Sequence, residues 1–172
     1  MAKFLVIAEK PSVAQSLAKN LSAYQREDGY LEGNSCIVSW CLGHLAEYAP
    51  PEIYNEKYAK WQFEDLPIIP EVWKVQVSED KKKQFDVLCG LMNRADVAYL
   101  VNGCDAGREG ELIFKRVYDL AGCQKSVKRL WISSMEDEAI QKGFQSLTDG
   151  REYAGLCNAA VCRAQADWLI GM

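Results

Sequence analysis

Three carboxylates, one arginine and two glycines crowd into the stretch Asp105-Ala106-Gly107-Arg108-Glu109-Gly110-Glu111. A turn that had only to reverse the chain would manage with Asn, Gly or Pro and no carboxylate cluster. Carboxylate oxygens are hard ligands. With no histidine or paired cysteines beside them, the cation they suit is Mg²⁺, with Mn²⁺ as the alternative. Mg²⁺ keeps several waters and binds through one or two carboxylates plus substrate phosphate, which makes phosphoryl transfer the chemistry in view. Gly107 and Gly110 let the backbone approach closely, and a helix N-terminus offers free N–H groups to an anion. Acidic residues also complement the dipole of any helix start, so the turn alone does not choose between a metal site and a solvated helix end.

The flanking elements place this turn. The near-continuous apolar run DVAYLVNG (96–103) suits the centre of a parallel sheet, and a helix over 108–122 follows, ending at Gly122. KFLVIAE (3–9) is a short β-rich run that delivers Glu9-Lys10 to Pro11, a residue suited to the first turn of a helix. Val13, Ala14, Leu17, Ala18 and Leu21 then mark one helical face. CIVSWCLG (36–43) reads as a strand ending in Gly43-His44-Leu45, and SVKRLWI (126–132) as another. Ser133-Ser134-Met135-Glu136 matches the S-x-x-E capping box, opening a helix with Ala139, Ile140, Phe144 and Leu147 inward. Ser78 is the expected cap of a further helix carrying Lys81, Phe85, Leu88, Cys89 and Met92, with Lys81-Lys82-Lys83 as a solvated face. Residues 49–73, rich in proline and aromatics, form an irregular packed connection. The order predicts an α/β fold, a mostly parallel sheet with helices on both faces. Ligands in such sheets bind outside the C-terminal strand ends. Glu9-Lys10, Asp105–Glu111 and Ser133-Ser134 all fall there.

Composition narrows the partners. The net charge is −4 and the sequence pI about 5.1, without the basic surplus of a domain that grips DNA by itself. The seven cysteines include no C-x-x-C and there is one histidine, which argues against a disulfide framework or zinc site and for reduced thiols in the cytoplasm. No apolar run approaches a membrane span, and residues 1–20 lack a signal-peptide pattern.

The motifs in combination resemble the Toprim domain of type IA DNA topoisomerases, most closely the topoisomerase III branch. AEKPS at the first strand, GHL near residue 44, DAGREGEL at the central strand, RLWISSMEDEAI (129–140) and RAQADWLIGM (163–172) occur in that family's order. The resemblance implies a Toprim, Rossmann-like domain over 1–150, with an irregular insertion at about 45–77. Residues 151–172 would begin a following helical domain, a piece of a longer polypeptide. It implies that Glu9 is a general acid/base and joins Asp105 and Glu109 in binding Mg²⁺, and that Lys10 steadies the scissile phosphate. His44 and Arg108 would lie close to single-stranded DNA. Gly107 stands where many relatives carry a middle aspartate, so Glu111 is a further candidate ligand. The family's nucleophile, a tyrosine in a downstream domain, has no counterpart among the eight tyrosines here. Two other readings are a self-standing Toprim nuclease and a non-catalytic nucleotide-binding module. The second lacks a G-x-G-x-x-G turn.

Overall fold

Phe4-Leu5-Val6-Ile7 is an unbroken apolar run. In the computed structural model of the chain, which describes residues 2–60 and 62–171, it forms strand β1 (Lys3–Ala8). The chain continues through α1 (Pro11–Asn20), β2 (Gln25–Glu27), β3 (Tyr30–Glu32), β4 (Cys36–Trp40), β5 (Ala46–Tyr48) and β6 (Val75–Val77). It then runs through α2 (Lys82–Met92), β7 (Val97–Gly103), α3 (Arg108–Leu120), β8 (Val127–Arg129), α4 (Asp137–Gln145), β9 (Thr148–Asp149) and α5 (Ala154–Ile170).

The main sheet has seven strands in the order β2-β3-β4-β1-β7-β8-β9. The four inner strands β4-β1-β7-β8 are mutually parallel, and the outer ones are antiparallel. The expected α/β architecture is therefore present, with β1 and β7 at its centre. Successive side chains of a strand point to opposite faces, and both faces of β1 are buried. Leu5 and Ile7 pack with Leu88 and Met92 of α2 and Ile113 and Val117 of α3. Val6 and Ala8 pack with Ala14 and Leu17 of α1 and Ile140 of α4. No helix of the described residues is long and apolar enough to cross a membrane.

Several local expectations are corrected. The strand beginning at Cys36 stops at Trp40 rather than Gly43. The strand expected over 126–132 spans only Val127–Arg129, and the helix expected to reach Gly122 ends at Leu120, with Gly122 at φ +62. Ser78 makes no capping hydrogen bond. The S-x-x-E box also fails to form: Glu136 is itself the N-cap of α4, and its N–H donates to Ser134 Oγ at 3.2 Å. Among the described residues of 49–73 the connection is irregular as expected, with short 3₁₀ turns such as Pro51–Ile53 and Phe63–Asp65, but it is largely exposed rather than packed, with Phe63 86 % and Val72 74 % exposed. It is pinned to α5 by Trp168, whose indole N–H donates to the Ala49 carbonyl at 3.1 Å and whose ring meets Trp73 and Tyr54 edge-on. The apolar end of the chain is thus partly covered.

Candidate active site at the switch point of the sheet

From β1 the chain crosses through α1 to β4 on one side, and from β7 through α3 to β8 on the other. The strand order therefore diverges between β1 and β7, and their C-terminal ends lie side by side, with Ala8 in register with Gly103. A crevice opens at such a point. Glu9-Lys10 leaves β1 there, and Cys104-Asp105 leaves β7.

A third segment joins them. The Gly43 N–H donates to the Glu9 carbonyl at 3.2 Å, and Gly43 adopts φ +66, a left-handed conformation that favours glycine. This brings His44 over the start of α3, where its Nε2 lies 3.4 Å from Oε2 of Glu109. The His44 carbonyl accepts from Nζ of Lys81 at 2.8 Å. Lys81 is thus half-buried and tied to the site, while Lys82 and Lys83 are exposed as expected.

Asp105, Arg108 and Glu109 are exposed, Lys10 is exposed at the N-cap of α1, and Glu9 is half-buried. The N-cap of α3 is Gly107, with no side-chain cap, so the helix starts with uncapped N–H groups in the same turn as these acids. Gly110 has a separate role. A Cβ built on it would overlap the carbonyl oxygen of Asp105, so only glycine lets the turn fold back against α3.

Glu111 departs from the sequence expectation. It is 8 % exposed, faces inward, and accepts from Nε of Arg129 at 2.5 Å. Burial pushes its carboxyl up, against the opposing pull of the Arg129 charge and hydrogen bond. A carboxylate engaged in this way is not an open ligand, which leaves Asp105 and Glu109 as the exposed pair. Among the described residues, no three His, Cys, Asp or Glu side chains are gathered closely enough to hold an ion by themselves. Two hard-oxygen donors beside free helix N–H groups fit Mg²⁺ completing its shell with water and phosphate.

Sequence reasoning missed Arg129. It is 1 % exposed and also donates to the carbonyls of Asn102 (3.0 Å), Cys104 (2.5 Å), Leu130 (3.0 Å) and Asp105 (2.8 Å). Its guanidinium lies beside the stacked rings of Trp131 and Tyr153. The one signal was an arginine followed at once by Leu130 and Trp131 in an otherwise apolar strand end.

The model of the Toprim domain family matches residues 4–135. DNA topoisomerase 3 of Bacillus subtilis (strain 168) is 48 % identical over all 172 residues, and that of Shouchella clausii (strain KSM-K16) 46 %. The chain spans 24 % of the length of each. The solved structure of full-length topoisomerase I from Thermotoga maritima superposes with a TM-score of 0.64 at 17 % identity, covering 96 % of this chain and 24 % of that one. With a matching fold and a family match over most of its length, the chain belongs to the Toprim domain family.

Proposed function

We propose that this chain is the acid/base and metal-binding part of a type IA DNA topoisomerase of the topoisomerase III kind. The intact enzyme would cut, pass and religate single DNA strands without ATP. The observation that carries this reading is the meeting of Glu9-Lys10, His44 and the Asp105–Glu109 turn at one switch point. Full-length similarity to proteins named DNA topoisomerase 3 supports it.

In this reading Glu9 hands a proton to the ribose oxygen as the strand is cut and takes it back on religation. Lys10 steadies the scissile phosphate, and His44 and Arg108 reach the single strand. Asp105 and Glu109 would hold Mg²⁺, or Mn²⁺ in its place, which supplies neutralising charge to the phosphate. The nucleophile is a tyrosine in a domain beyond this chain, and residues 151–172 lead toward the remaining domains. A cytoplasmic setting accords with the seven free thiols.

The test is plasmid relaxation by a polypeptide of the relatives' length that carries this chain. Glu9→Gln keeps the shape and loses the proton, so activity should fall about 10²–10⁴-fold and stay low in excess Mg²⁺. Full rescue by Mg²⁺ would make Glu9 a ligand instead, and near-normal turnover would remove it from the chemistry.

A further inference from the structure

We infer that Arg129, braced by Glu111, is a positioning residue that shapes the Asp105 turn so that the carboxylates of Asp105 and Glu109 face a divalent cation. The inference rests on the metal-binding reading above and assigns the residues that set its geometry.

Burying a guanidinium costs several kcal/mol unless its donors are matched. Here all three of its nitrogens are engaged, and all but one of the acceptors are of one kind. Besides Glu111, they are backbone carbonyls, three of them from the end of β7 and the turn that follows: Asn102, Cys104 and Asp105. Strand pairing does not require this, because β7 and β8 form their own parallel ladder. The same turn is held from two other directions. The Cys104 N–H donates to Oδ1 of Asn102 at 3.1 Å, and Gly110 closes over the Asp105 carbonyl where a Cβ would collide.

The Asp105 peptide is therefore fixed while its side chain stays exposed. Glu111 anchors the first turn of α3 from inside, and Glu109, two residues earlier, is left facing the crevice. Supporting hydrogen bonds that orient ligands are how proteins tune a bound metal. Lysine cannot replace this arginine, because one ammonium does not reproduce the planar fork.

The experiment is a Mg²⁺ titration of this chain by ¹⁵N NMR, reading the Asp105 and Glu109 amides together with the Nε–H of Arg129. All three should move on one binding curve. Folded Arg129→Lys should bind Mg²⁺ about tenfold more weakly or worse. Glu111→Gln, which keeps an acceptor for Nε, should lose less, and Asp105→Asn should abolish binding. The inference is overturned if the two amides shift while Arg129 Nε–H stays still, or if folded Arg129→Lys binds like wild type. It is equally overturned if Glu111→Gln loses as much as Asp105→Asn, which would make Glu111 a ligand. In those cases the metal reading stands. If no amide shifts, or Asp105→Asn binds normally, the metal reading itself fails. Should Arg129→Lys not fold, the wild-type Nε–H signal decides.

Discussion

Two glycines three residues apart make opposite predictions. Gly107 is extended, at φ 165, and nothing lies within 4 Å of where its Cβ would be. Gly107→Asp should therefore be tolerated. It should also tighten Mg²⁺ at least about fivefold, near 1 kcal/mol, by adding a third oxygen donor at the helix start. Isothermal titration of the two proteins checks this, and unchanged affinity would place the cation elsewhere. Gly110→Ala forces the Asp105 carbonyl aside and should cost about 1–3 kcal/mol, the usual toll of overpacking, measurable by denaturant unfolding. Wild-type stability in that variant would mean the turn is not packed as described. The acids of this turn were legible in the sequence because their types and spacing are local. The inward role of Glu111 was not, because its partner Arg129 arrives from another strand.

Among the elements, β3 is tied to the start of β1 and to the turn between α2 and β7 by one carboxylate, Glu32. It accepts from Lys3 at 2.5 Å and from Arg94 at 2.9 and 3.2 Å. The Arg94 hydrogen bond holds its carboxyl below the ordinary 4.5, burial opposes that shift, and Lys3 adds to it. A depressed acid contributes stability that is complete above its unfolded value. That contribution is lost as pH falls from about 4.5 through the lower folded value. Thermal melts should accordingly show Glu32→Gln less stable than wild type at neutral pH, with the gap narrowing below pH 4.5. A gap independent of pH would rule out the charge contribution.

Long apolar runs made β1, β7 and their helices readable in advance. The three-residue strands β2, β3, β5 and β6 and the two-residue β9 were not, since so few residues establish no alternation. The β2–β3 hairpin did carry a local sign, Asp28-Gly29, with Gly29 at φ +88. The cap expectations failed in different ways: Ser78 stands at the N-cap of the 3₁₀ turn Glu79–Lys81 that leads into α2 but makes no side-chain bond, whereas α4 begins after Glu136 rather than after Ser133.

At the scale of the molecule, the acidic balance and the proposed location of the nucleophile outside this chain bear on what the chain does by itself. Incubated with supercoiled plasmid and Mg²⁺, it should neither nick nor relax the DNA, because on the proposed reading the attacking tyrosine lies in a domain beyond this chain. Gel electrophoresis decides this. Reproducible nicking that disappears in Asp105→Asn would instead favour a self-standing nuclease using activated water.

The position of β1 between β4 and β7 also governs the order of assembly. β1 cannot be flanked on both sides until Leu100 is available to pair with Leu5. At about 5–20 residues per second on the ribosome, that is a wait of roughly 5–20 s. Contacts so distant along the chain are slow to close. The clamp on the acidic turn comes later still, since Arg129 follows β7. Asp105 and Glu109 thus emerge as two mutually repelling charges on an unrestrained loop, and the turn that carries them takes its final shape only after the centre of the sheet can pair.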